Sequence, residues 1–192
     1  MDFQNDLKYQ QLKKIIDSTA VDLENCSRGE YLPQKRRLHT WALADMGDYL
    51  YNNDLYSDAL TYYTLAKKFD CDEASVLNQM GICLMHLGKI DRALYYFEQM
   101  SRRAISLSDK ALAWYNMSVC YRKTPGLNEA ILALKKSLKY SYNEEHAAAL
   151  EQLKEMNSTK QFLNFTQSIF RKNVLPKEET DSKHTTKSIP MA

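Results

Sequence analysis

Apolar positions along this chain return every three or four residues, the period of an α-helix, and no alternating strand pattern competes with them. The first such stretch runs from residue 3 to about 25, with Phe3, Leu7, Leu12, Ile16, Ala20 and Leu23 near one face. Asp2 is placed to cap it, and Ser27-Arg28-Gly29-Glu30 reads as the loop that follows. Six more helices are expected as pairs, at about 40–53 with 56–69, 74–87 with 90–103, and 109–123 with 127–140. Their turns fall at Asn53-Asp54-Leu55, Gly88-Lys89 and Pro125-Gly126. Asn143 caps a further helix, Glu144 to Met156, with Ala147, Leu150 and Leu153 on one side. Gln161 to Arg171 reads as a separate short helix carrying Phe162, Phe165 and Phe170. From Asn173 onward the chain is polar and is expected to stay disordered, because it has too little to bury.

The paired helices repeat one another. Met46-Gly47 returns as Met80-Gly81 and Met117-Ser118; Ala59 returns as Ala93 and Ala130; Ala66 returns as Met100 and Ser137. The steps are 34 residues (47 to 81) and 37 residues (81 to 118), a period that signals stacked helix pairs. The small residues at 47, 81 and 118 let another helix approach closely. A pair cannot bury its apolar face alone, so successive pairs stack into a solenoid. The three extra residues of the second step fall within Ser101 to Lys110, where they are expected to lengthen the second helix of copy two or its turn.

On these residues the chain resembles the tetratricopeptide (TPR) family. The family pattern W-x2-L-G-x2-Y…A-x3-F is met by Leu43, Met46, Gly47, Leu50, Ala59 and Tyr63, then by Leu77, Met80, Gly81, Leu84, Ala93 and Phe97. The third copy is Trp114, Met117, Ser118, Tyr121, Ala130 and Leu134. The usual proline near each repeat end is replaced by Cys71, Ile105 and Tyr142. The resemblance implies an all-α fold, a right-handed superhelical solenoid of three helix pairs with N-terminal and C-terminal capping helices. The expected organisation is an N-terminal helix and loop at 1–36, the array with its capping helix at 37–157, a short helix at 158–172 and a tail at 173–192. Two roles fit the N-terminal helix: a cap on the open end of the array, or an oligomerisation helix that would make a homodimer.

In such a solenoid the first helices of successive pairs line a concave face, the usual binding surface. The register set by Gly47, Gly81 and Ser118 turns Trp41, Ala44, Asp48, Tyr51 and Asn52 inward from repeat one. Ser75, Asn78, Ile82, Met85 and His86 follow from repeat two, and Leu112, Tyr115, Val119, Arg122 and Lys123 from repeat three. Aromatic, Met and Asn side chains suit a protein client or peptide segment held in extended form; Trp41, at the edge of the first repeat, reads equally well as core. The family's carboxylate clamp for chaperone tails needs Lys then Asn where this chain has Ala44 and Asp48, and Lys and Arg where it has Leu112 and Asn116, so that function is rejected. Three repeats between extra N- and C-terminal helices resemble the class II chaperones of type III secretion, which hold translocator proteins in the cytosol. Tyr49-Leu50-Tyr51…Leu55-Tyr56-Ser57-Asp58-Ala59 and Leu138-Lys139-Tyr140-Ser141-Tyr142 are similar to their first repeat and their end. The alternative is a TPR adaptor that scaffolds an assembly without chaperone activity.

Composition narrows the remaining classes. A net charge of +2 demands neither nucleic acid nor an anionic membrane. Lys35-Arg36-Arg37, with Lys13-Lys14 and Arg102-Arg103, reads as solvated helix ends, since the aromatic interleaving of a nucleic-acid groove is missing. The longest apolar runs are too short to span a bilayer, so no membrane insertion is expected, and the polar start suggests a cytoplasmic protein. Cys26, Cys71, Cys83 and Cys120 form no C-x2-C and are expected to be structural thiols. No hydrolase, P-loop, zincin or dinucleotide motif occurs, and His39, His86, His146 and His184 lack ligand spacing. The chain is therefore expected to be no enzyme and to use no cofactor.

Overall fold

In a computed structural model of the chain, the described residues are 6–25, 32–69 and 74–174. Every element among them is an α-helix: α1 (Leu7–Glu24), α2 (Leu32–Asn52), α3 (Tyr56–Lys68), α4 (Ala74–His86), α5 (Ile90–Arg103), α6 (Leu107–Arg122), α7 (Leu127–Tyr140) and α8 (Glu144–Val174). The helices α2 to α7 form three antiparallel pairs. Each helix from α1 to α6 packs on the next in sequence, and α4 also meets α6. This is the expected right-handed superhelical array of TPR pairs. No helix among the described residues is long and apolar enough to cross a membrane.

The repeated small residues meet large ones. A Cβ added to Gly47 would lie 2.6 Å from the Tyr63 ring, and one added to Gly81 would lie 2.5 Å from the Phe97 ring. Tyr63 and Phe97 are 1% and 0% exposed, so neither ring has room to move aside. In repeat three the register pairs Ser118 with Leu134, a slightly larger first residue with a smaller second one. Ala59, Ala93 and Ala130 are all fully buried. Met46, Tyr49, Leu50, Ala59, Tyr63, Val76, Met80 and Cys83 form the first core cluster. Leu84, Ala93, Phe97, Met117, Cys120 and Ala133 form the second.

The turns also repeat. Asp54 and Gly88 both stand seven residues after their repeat's glycine (54 − 47 and 88 − 81) and take positive φ, 62° and 71°. Each turn closes with two bonds: Asp54 N to Tyr51 O and Leu55 N to Leu50 O, both 3.0 Å, then Gly88 N to Met85 O at 3.1 Å and Lys89 N to Leu84 O at 2.8 Å. Pro125 holds that position in repeat three and cannot take positive φ. The third turn closes earlier, through Lys123 N to Cys120 O and Thr124 N to Tyr121 O.

Several sequence expectations change. The cap of α1 is Asp6, whose carboxylate accepts from Lys8 N at 2.8 Å and Tyr9 N at 3.1 Å; Asp2 lies outside the described residues. Lys35-Arg36-Arg37 does not precede the first repeat helix but lies inside it, because α2 begins at Leu32 with Pro33 in its first turn, where proline costs no hydrogen bond. The extra residues between repeats two and three go chiefly into α6. It starts at Leu107, capped by Ser106, while α5 ends at Arg103. Gln161 to Arg171 is not a separate helix: α8 continues unbroken through Asn157–Lys160, a stretch with neither Gly nor Pro.

Two compact units emerge, residues 1–154 and 155–192. In the first, Leu150 and Leu153 pack with Ala130, Ile131 and Leu134 to close the array, and Asn143 caps α8 through a 3.1 Å bond from His146 N. α1 covers the other end with the half-buried Tyr9, Leu12 and Ile16, leaving Leu7, Ile15 and Val21 exposed. In the second unit, Met156, Phe162, Leu163 and Phe165 are exposed. Cys26, Cys71, the loop at 27–30 and most of the expected tail lie outside the described residues.

Candidate protein-binding groove

The helices α2, α4 and α6 are the first members of the three pairs, and their outward residues form the candidate site. None of the predicted groove residues is fully buried. Trp41, Asp48, Asn52, Ser75, His86, Leu112, Arg122 and Lys123 are exposed, and Ala44, Tyr51, Asn78, Ile82, Met85, Tyr115 and Val119 are half-buried. Trp41 is not core: it is 46% exposed, with the Arg37 guanidinium 5.6 Å from its ring centroid.

The structure brings these residues together in three places. Between α2 and α4 lies a cleft of about 210 Å³, lined by Ala44, Asp48, Tyr63, Ser75, Val76, Asn78 and Gln79. Tyr63 passes beneath Gly47 and its hydroxyl donates to Asp48 Oδ1 at 2.5 Å. Gln79 Nε2 donates to the same oxygen at 3.5 Å. Burial, and then this bond to Asp48, push the Tyr63 phenol far above its ordinary range. Between α4 and α6, Asn116 Nδ2 donates to Asn78 Oδ1 at 2.7 Å. At the far ends of α2 and α4, His86 stacks on Tyr56 at 4.1 Å, and Tyr51 meets both rings edge-on at 5.6 and 6.1 Å.

Tyr115 has a structural partner. It stacks on His146 of α8 with ring centroids 4.2 Å apart. His146 Nδ1 lies 2.8 Å from Ser137 Oγ, and that hydroxyl donates to Ala111 O at 2.7 Å. With its one proton committed, Ser137 accepts from His146, so Nδ1 carries the hydrogen. His39 repeats the arrangement at the other end: its Nδ1 lies 2.9 Å from Thr19 Oγ1, which donates to Ile15 O and Ile16 O. Burial lowers the pKa of both imidazoles, and Glu145 partly opposes this at His146.

Sequence reasoning missed Tyr63, Val76 and Gln79 as cleft residues, Tyr56 in the aromatic stack, and the buried roles of Asn116, His39 and His146. The signal for His146 was available. Ser137 is a hydroxyl in the repeat series of Ala66 and Met100, a series of core positions, and a buried hydroxyl calls for a partner.

Cys83 and Cys120 are buried thiols whose pKa values burial pushes up to about 12, which suits packing and not reactivity. No group of three or more His, Cys, Asp or Glu side chains among the described residues could hold a metal ion.

No family profile matches the chain, and no curated protein matches it. Solved structures do. A MamA fragment (41-end) from Desulfovibrio magneticus RS-1 is 19% identical with a TM-score of 0.56, covering 92% of this chain and 98% of that one. The Yersinia enterocolitica type III secretion chaperone SycD, in complex with a peptide of the translocator YopD, is 17% identical with a TM-score of 0.55. The match covers 60% of this chain and 92% of that one. The first TPR of Spaghetti (RPAP3), bound to the HSP90 peptide SRMEEVD, is 16% identical with a TM-score of 0.56, covering 62% and 93%. At these identities the likeness carries the fold, and the packing of Gly47 on Tyr63 and Gly81 on Phe97 agrees with it: this chain folds as a tetratricopeptide-repeat array.

Proposed function

We propose that this chain is a protein-binding module that holds an extended segment of a partner along α2, α4 and α6, as a chaperone for a client with exposed apolar stretches. The observation that carries the reading is the row of half-buried apolar side chains Tyr51, Ile82, Met85, Tyr115 and Val119 on three consecutive first helices. They stay partly exposed while the opposite faces of the same helices are core. A row of this kind suits an extended peptide better than a compact small molecule. The neighbours support the peptide reading, since SycD and the Spaghetti domain were each solved with a bound peptide. The clamp chemistry for an acidic tail is absent: Asp48 stands in the groove, and Asn116 is buried against Asn78.

The test is capture of partners from the native cell, identified by mass, with wild type and Ile82→Glu. A charge in the apolar row should cost the partner about 2 kcal/mol or more of affinity, with the far-ultraviolet dichroism unchanged. Ile82 is a better probe than Tyr115, whose removal would also strip the stacking surface from His146. The chaperone form further requires a partner that is poorly soluble alone and soluble when co-expressed with this chain. A groove-dependent partner that stays soluble alone makes the protein an adaptor. Partners whose capture ignores Ile82→Glu overturn the groove in either form.

A further inference from the structure

The cleft between α2 and α4 is polar at positions that are apolar in the other two repeats, and internal repetition shows how. The position held by Asp48 in repeat one is held by Ile82 and Val119 in the next two, and the position of Tyr63 by Phe97 and Leu134. Only repeat one thus swaps an apolar pair for a hydroxyl and a carboxylate, joined at 2.5 Å. A neutral acceptor would satisfy the Tyr63 hydroxyl. Asp48 instead brings a full charge on an exposed side chain. Its Oδ1 takes both Tyr63 and Gln79, and its Oδ2 has no hydrogen-bond partner among the described residues.

Among the described residues, no Lys, Arg or His lines the cleft. The nearby cation Lys8 acts on Asp45 and lies over the Tyr49 ring. Asp45, one turn ahead on α2, does not line the cleft but feels its charge: its pKa is raised by burial and then by the charge of Asp48. Like charges so placed gain from a cation between or beside them. The cleft also holds Asn78, whose amide is fixed by Asn116, so its wall is set before anything binds. At about 210 Å³ it accommodates one long side chain and not a folded element.

Building on the groove reading, we propose that this cleft takes a lysine or arginine side chain of the bound segment, which lays its apolar residues along Ile82, Met85 and Val119. Carboxylate recognition of an ammonium or guanidinium is a charge-assisted bond, and the aliphatic stem would lie along Ala44 and Val76. The occupant is therefore a basic-apolar segment, the inverse of an acidic tail.

The probe is a displayed library of random twelve-residue peptides, selected on the full chain. Binders should share one Lys or Arg beside apolar residues. For a selected peptide and its Lys/Arg→Ala counterpart, Asp48→Asn should weaken the basic peptide about tenfold and leave the alanine peptide unchanged. Asn can still accept from Tyr63, so the fold is kept, and a matching melt verifies this. If Asp48→Asn weakens both peptides equally, or binders lack the basic residue while Ile82→Glu still abolishes them, the cleft inference falls and the groove stands. If no selected peptide responds to Ile82→Glu, both fall.

Discussion

Two residue-scale devices set the tolerance of this fold. The first is the meeting of Gly81 with Phe97. A methyl at 81 would sit 2.5 Å from a ring that is 0% exposed, so Gly81→Ala should cost roughly 1–3 kcal/mol from overpacking, read by urea unfolding. Repeat three shows the compensation, Ser118 opposite Leu134. Adding Phe97→Leu to Gly81→Ala should therefore give a loss smaller than the sum of the two single losses. Additive losses would show that the two residues do not share the contact. The second device is the pair of imidazoles. His39 and His146 are buried, each donates to a hydroxyl already committed to a carbonyl, and burial lowers both pKa values below 6.5. The native state is then the poorer proton binder. Stability is complete above the unfolded pKa of 6.5 and is lost as pH falls through it toward the folded values. The urea midpoint should drop between pH 7.5 and 5.5, and the double variant His39→Gln, His146→Gln should show a smaller drop. An equal drop in that variant would place the titration elsewhere.

At the scale of elements, the second helices of the pairs start without side-chain caps but carry Asp58, Asp91 or Glu129 in the first turn. They end with Lys67 and Lys68, Arg102 and Arg103, or Lys139. That order matches the helix dipole at both ends. α1 has no fully buried residue, yet Tyr9, Leu12 and Ile16 cover the cluster around Met46 and Tyr49, and Thr19 holds His39. Half-burying three large side chains is worth roughly 3 kcal/mol in all. Deleting residues 1–25 should lower stability by about that amount, with a matching fall in the denaturation midpoint. A truncated protein with an unchanged midpoint would end the case for α1 as the cap of the array.

At the scale of the whole molecule, the chain's periodicity settled most of the architecture. Helix type, pair order and the close approaches at 47 and 81 follow from local spacing, because a solenoid is built from neighbouring contacts. Which residues of the first helices stay out of the core was legible for the same reason, since a helix face is a matter of register alone. What register cannot say is which polar side chains find one another. Tyr63 reaching Asp48, Asn116 reaching Asn78 and Ser137 reaching His146 join residues 15, 38 and 9 positions apart, and only the stacked helices bring them within bonding distance. The same limit explains the misplaced elements. α2 gains two turns and α8 runs unbroken because nothing local stops a helix there, and periodicity marks where a helix buries a face, not where it ends. The sequence thus determined the repeat and its open face, by spacing; the tertiary structure decided that this face carries a charged cleft, by bringing Asp48, Tyr63 and Gln79 together.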